Sequence, residues 1–190
     1  MGMISNRFTK ITLGLGAAAL LIGFGAFGYH ISMGGGAHFG GHIQHDEVNM
    51  PMLHGADTTV QEVDEMKALF RQHKDIRRVV EFLPNGIVTI TETDNEDLRG
   101  LLVGHVAGMT TRVEDGRDPQ VPIQSPTLSL LFERGHLITT ELDMTDTGVK
   151  VTQTSTDPMV VAALQKHAAE VSDLAARGMV AVHEQMTHAH

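Results

Sequence analysis

His105 and His167 are the residues of this chain whose placement most invites chemistry. Each stands seven positions after the first apolar residue of a helical stripe. One stripe is Leu98, Leu101, Leu102, His105, Val106 and Met109; the other is Val160, Leu164, His167, Val171 and Leu174. Residues at these spacings share a helix face, so both imidazoles are expected to point inward. A buried imidazole needs a partner for each ring nitrogen, or a metal on one of them. The plain alternative is a neutral core histidine bonded to a carbonyl or a water. Two inward imidazoles at equivalent places suit bis-histidine haem ligation, or half of a copper site. Met109, one turn beyond His105, adds a thioether, although packing is the commoner use of a core methionine.

A second set of donors closes the chain, in GMVAVHEQMTHAH. Met179, His183 and Met186 stand at i, i+4 and i+7, so one helix face presents sulfur, nitrogen and sulfur. Thioether plus imidazole without thiolate suits copper, above all Cu(I). Counting about 100° per residue from His167 puts this set on a separate face. The expected metal ligands are therefore His105, Met109, His167, Met179, His183 and Met186, with His105 and His167 as the axial pair if the cofactor is haem b. An amphipathic helix end with a polar tail is the alternative for the last three. The run HEQMTH is not a zincin motif, because His183 and His188 lie about 140° apart on a helix rather than on one face.

These donors need elements to hold them. Thr59 with Glu62 forms a capping-box signature, and Val60, Val63, Met66, Leu69 and Phe70 fall on one face of the adjoining helix. IRRVVEFL and IVTITET flank Pro84-Asn85-Gly86, a hairpin signal. A helix is predicted from about Asp94 to Glu114, then a Gly- and Pro-rich loop, then strands at TLSLLFE, HLITTEL and VKVTQTS. The last helix begins at Asp157-Pro158, with Pro in its first turn, and reaches about Met186 with a bend at Gly178. Shifting the chain by 62 residues superposes Gly86 on Gly148, His105 on His167 and Gly116 on Gly178. Upstream, Leu69, Phe70 and Ile76 fall on Leu131, Phe132 and Ile138. The two halves, about 69–116 and 131–178, thus read as hairpin–helix repeats related by an approximate twofold axis. The correspondence breaks where residues 60–73 read as helix and those near 127–133 read as strand. The expected fold is α+β, an antiparallel sheet with the helices on one face.

Composition narrows the compartment and the partners. The chain of 190 residues has no cysteine, which excludes disulfides, thiolate metal sites and CxxCH haem attachment. The counts of 12 His and 11 Met leave many other soft and borderline donors, while the net charge of −9 argues against nucleic acid as a partner. Arg7 and Lys10 precede an uncharged run, Ile11 to Tyr29, long enough as a helix to cover about 28 Å, close to the bilayer core. This predicts a cytoplasmic N-terminus at 1–10 and a single-pass inner-membrane anchor at 11–29, with export of the remainder of the chain. Cleavage near Ala26-Phe27-Gly28 would make the run a signal peptide instead. Residues 30–58 read as a Gly-, His- and Met-rich tether, and 59–190 as the exported domain, in the periplasm or outside the cell.

No phosphate-binding loop, nucleophile elbow or cysteine nucleophile is present, so the sequence leans away from an enzyme. The leading expectation is a membrane-tethered copper protein for metal handling or sensing. A b-type haem protein for electron transfer or sensing is the second. A metal-free envelope interaction module, with an envelope protein or a second copy as partner, is the third.

Overall fold

The computed structural model describes residues 49–188, apart from the side chains of 183 and 185–188. The expected cytoplasmic segment, membrane anchor and most of the tether lie outside the described residues. No helix among the described residues is long and apolar enough to cross a membrane.

The element order is α1 (Val60–Arg71), β1 (Arg77–Leu83), β2 (Gly86–Glu92), α2 (Glu96–Glu114), α3 (Pro126–Glu133), β3 (Thr139–Met144), β4 (Gly148–Thr154), α4 (Pro158–Arg177) and α5 (Met179–His188), with short 3-10 turns between some of them. The strands form one antiparallel sheet in the order β1-β2-β4-β3. Period-2 alternation sorts its two faces. Ile87, Thr89 and Thr91 of β2 lie opposite Gln153, Val151 and Val149 of β4, and most of this row is buried. The helices cover that face: Ile87 packs with Leu131 of α3 and with Val160, Ala163, Leu164 and Ala168 of α4. The fold is the expected α+β arrangement of an antiparallel sheet and packed helices.

The helix starts reflect local chemistry. The Thr59–Glu62 capping box forms, with the Thr59 side chain and the Glu62 carboxylate each accepting the other's backbone N–H. Asn95 caps α2 and Asp157 caps α4, each side chain accepting two backbone N–H bonds. Pro158 occupies the first turn of α4, and the helix stops at Gly178.

Several expectations need correction. TLSLLFE is helical, not a strand. Ser125 caps it by accepting from the Leu128 N–H, and Pro126 fits its first turn, where a missing N–H costs nothing. A short apolar run cannot be assigned by periodicity alone, and here the cap decides. The turn of the first hairpin is Pro84-Asn85 alone, because Gly86, expected in the turn, already pairs with Leu83. Val60, expected on the buried face of α1, is its first residue and is 78% exposed. The last residues of the expected tether have partners in the domain. Met50 and Leu53 are buried with Val63, Phe70 and Val182, and Asp57 bonds Arg112 of α2.

With α3 helical, the ends of α1 and α3 are 62 residues apart, as are the starts of β2 and β4 and of α2 and α4. Thr93 donates its N–H to the Thr147 carbonyl, and Ser155, its equivalent, donates to the Asn85 carbonyl. Gly86 and Gly148 start the central strands because a Cβ at either would overlap a carbonyl oxygen of the facing strand, Gln153 or Thr91.

Candidate functional site

α2 and α4 each carry a histidine ten residues past the capping side chain, and the packing of both helices on the sheet turns these rings toward a common space. A cavity of about 320 Å³ lies between the helices and the buried sheet face. That is within the range of about 300–1,000 Å³ usual for small-molecule sites. Its walls are mainly aliphatic and aromatic, among them Met66, Phe70, Leu102, Val106, Leu131 and Val171. His105, His167 and Met109 all line it, as the sequence pattern expected.

The two rings have different electrostatic settings. His105 Nδ1 is buried and accepts no hydrogen bond and donates none. Burial pushes the His105 pKa down to about 4, against a smaller upward pull from the Glu62 charge. The ring is therefore neutral around pH 7, with a lone pair free for a proton donor or a metal. His167 Nδ1 is likewise buried without a hydrogen-bond partner. Its nearest carboxylate oxygen, Glu170 Oε2, is 3.7 Å away, within ion-pair range but beyond a hydrogen bond. Glu170 accepts from Ser125 Oγ at 2.8 Å and Thr127 Oγ1 at 3.2 Å. Burial alone would raise its pKa; the His167 ring and these hydroxyls outweigh that and lower it.

The contrast with His73 marks the pair as unusual. His73 also lines the cavity, but its Nδ1 lies 3.0 Å from the Ala175 carbonyl oxygen and so has a partner. Glu62, the other acid on the wall, is committed to Arg112. That guanidinium bonds both Glu62 oxygens, one at 2.9 Å, and holds the Glu62 pKa near 2. Arg112 in turn has its pKa raised, chiefly by Glu62.

One polar residue of the cavity was not read from the sequence. Arg78 on β1 faces the helices, opposite Thr91, and its Nη1 donates to Thr91 Oγ1 at 2.6 Å. Its Nε is buried without a partner, and burial lowers its pKa to about 10 with no carboxylate to offset it. The available signal was strand parity: in IRRVVEFL one Arg must face the helices once Val80 does, and β1 alternates accordingly.

The remaining expected ligands are placed differently. Met179 packs against the cluster of Met50, Leu53, Val63, Phe70 and Val182, next to Leu174. Its helix, α5, is set off from α4 by Gly178 with φ 57°, so the angular count from His167 does not carry across the junction. The side chains of His183 and Met186 lie outside the described residues. Among the described residues, no group of three or more His, Cys, Asp and Glu is gathered as metal ligands. In comparison with known proteins, the chain matches no family model, no curated protein and no solved structure.

Proposed function

We propose that the domain binds haem b in the cavity between the helices and the sheet, with His105 and His167 as axial ligands, for electron transfer or sensing. The observation that carries this reading is that the two recurring histidines line one apolar cavity, each with a buried ring nitrogen that makes no hydrogen bond. A porphyrin supplies the equatorial nitrogens of its iron, so two protein imidazoles complete the coordination. The aliphatic walls suit a macrocycle, and the desolvated, neutral His105 needs no proton removed before it ligates. Ligand binding by a fold of this kind needs no catalytic group, and the domain is read as a binding protein rather than an enzyme.

Copper is the second reading. The specific observation in its favour is that Met66 and Met109 line the same cavity as the two imidazoles, so thioether and imidazole donors face one space. In this reading Met179, His183 and Met186 form a further copper site at the end of the chain. A metal-free envelope module, docking an envelope protein or a second copy of the chain, would leave both histidines as core residues.

Addition of haemin to the full-length chain should give a low-spin Soret spectrum at one equivalent, and H105A and H167A should each abolish it. The double variant should be little worse than either single one, as expected of residues that act through a shared partner. A weak d–d band after Cu(II) loading, with no Soret band, would favour copper instead. No response to either would return both rings to a packing role.

We read the 62-residue recurrence as two hairpin–helix repeats about a twofold axis between β2 and β4. The pairing supports this: Thr89 faces Val151, its own equivalent, and the register is symmetric about that point. We further propose that residues 11–29 anchor the chain in the inner membrane with the domain exported. A phosphatase fusion after residue 60 should be active outside the cytoplasm, and carbonate washing should leave the protein in the membrane. Release into the soluble periplasm would mean that the segment is cleaved.

A further inference from the structure

Arg78 has no role in ligating haem or copper, and its position is costly. It lies on the helix-facing side of β1, half-buried, with its Nε fully enclosed. One guanidinium nitrogen donates to Thr91 Oγ1 at 2.6 Å, while Nε is buried without any acceptor. The two carboxylates on the cavity wall are engaged elsewhere, Glu62 by Arg112 and Glu170 by Ser125 and Thr127. A desolvated cation without an opposite charge is destabilising, and a carboxylate is the group whose shape and charge its free donors match. The 62-residue recurrence sharpens the point. The position equivalent to Arg78 is Thr140, which faces Gln153 as Arg78 faces Thr91. A guanidinium required merely to fill the space beneath the helices would be expected in both halves. The cation stands in one half alone, so the guanidinium charge on the cavity wall is one-sided.

We propose that Arg78 is the seat for an anionic group, a carboxylate carried by an otherwise apolar ligand, and that it fixes which way round the ligand enters the cavity. The guanidinium fork matches a carboxylate in plane, with Nε as one of the two donors, which accounts for the nitrogen that lacks an acceptor. The seat is compatible with haem, whose propionates are carboxylates on an apolar ring, but it does not rest on haem. A long-chain fatty acid presents the same chemistry.

The test uses the full-length chain and two matched pairs of probes: haemin with its dimethyl ester, and decanoic acid with methyl decanoate. At least one acid should bind wild type about tenfold or more tightly than its ester, the size expected of a hydrogen bond to a charged group. R78M should erase that preference, and R78K should keep part of it. Since R78M replaces an uncompensated buried charge by an apolar chain of similar length, its thermal midpoint should be no lower than that of wild type. Equal binding of acid and ester by wild type, or an acid preference that survives in R78M, would overturn the proposal. So would failure of both acids to bind. The two ideas fail separately. Haemin bound through the histidines, with neither acid preferred over its ester, removes the anion seat alone. Decanoate bound through Arg78 with no response to haemin removes the haem reading alone.

Discussion

At the scale of the residue, the informative feature is the state in which burial leaves a side chain. His105 has a folded pKa of about 4 against about 6.5 unfolded, so the unfolded chain takes up a proton first as the pH falls. The contribution of this ring to stability is therefore complete above about pH 6.5 and is lost progressively as the pH falls toward 4. The loss is of order 2–3 kcal/mol. H105L should show a flatter stability profile between pH 6.5 and 4 in denaturant titrations followed by circular dichroism. An unchanged slope would show that His105 is not held neutral. The inward placement of His105 and His167 was legible in the sequence because helical spacing fixes which residues share a face. Arg78 was not legible in the same way. Two adjacent arginines at a strand start have opposite orientations, and only the register shows that Arg77 reaches Asp94 at the surface while Arg78 turns inward.

At the scale of the element, caps and glycines decided what periodicity left open. The apolar run Thr127–Glu133 carries no alternation that separates strand from helix, and Ser125-Pro126 settles it. Ser125 also donates to Glu170, the carboxylate beside His167, so one hydroxyl ties α3 to α4. S125A should cost about 1–2 kcal/mol through the lost cap and the weakened hydrogen bonding of Glu170. A loss below a few tenths would show that neither contact matters. Gly116 and Gly178 both adopt φ near +60° just past α2 and at the end of α4, which is why glycine recurs at that spacing. Gly178 carries a second constraint, because a Cβ there would come within 2.6 Å of the His73 ring. G178A should destabilise by more than about 1 kcal/mol, the left-handed backbone and the clash adding together. G100A, in α2 with open space around its Cβ, should be neutral or stabilising by up to about 1 kcal/mol. Thermal unfolding of the two variants side by side checks both signs. The four-stranded order β1-β2-β4-β3 was beyond the sequence, because nothing local specifies which hairpin edges meet. The glycines that open β2 and β4 hinted at a close backbone approach without saying to what.

At the scale of the whole molecule, one buried guanidinium joins the start of the described chain to its centre. Arg112 of α2 bonds Glu62 in the first turn of α1, and both the carboxylate and the carbonyl oxygen of Asp57 in the segment before α1. This clamp is what makes residues 49–58 part of the domain, together with Met50 and Leu53 in the second core cluster. Leu174, 62 positions beyond Arg112, packs against that same cluster. Arg112 holds the Glu62 pKa near 2, against an ordinary value of 4.5. For a depressed carboxylate the stabilisation is fully present above the unfolded pKa and is lost as the pH falls through the folded one. Glu62 should therefore cost the protein stability between about pH 4.5 and 2, below the window in which His105 acts. The loss is of order 2–3 kcal/mol, since the Glu62 side chain is only 21% exposed. R112M removes one partner and leaves Glu62 enclosed without its cation, so it should destabilise by about 3–5 kcal/mol at pH 7. E62Q should cost less at neutral pH and should flatten the profile below pH 4.5. In R112M/E62Q most of the R112M penalty should disappear, giving a coupling energy of about 2 kcal/mol or more in a double-mutant cycle. Additive losses would show that the two side chains stabilise the domain independently. Protease protection of residues 49–58 should fall in R112M and be largely kept in E62Q, because Asp57 still has its guanidinium partner there.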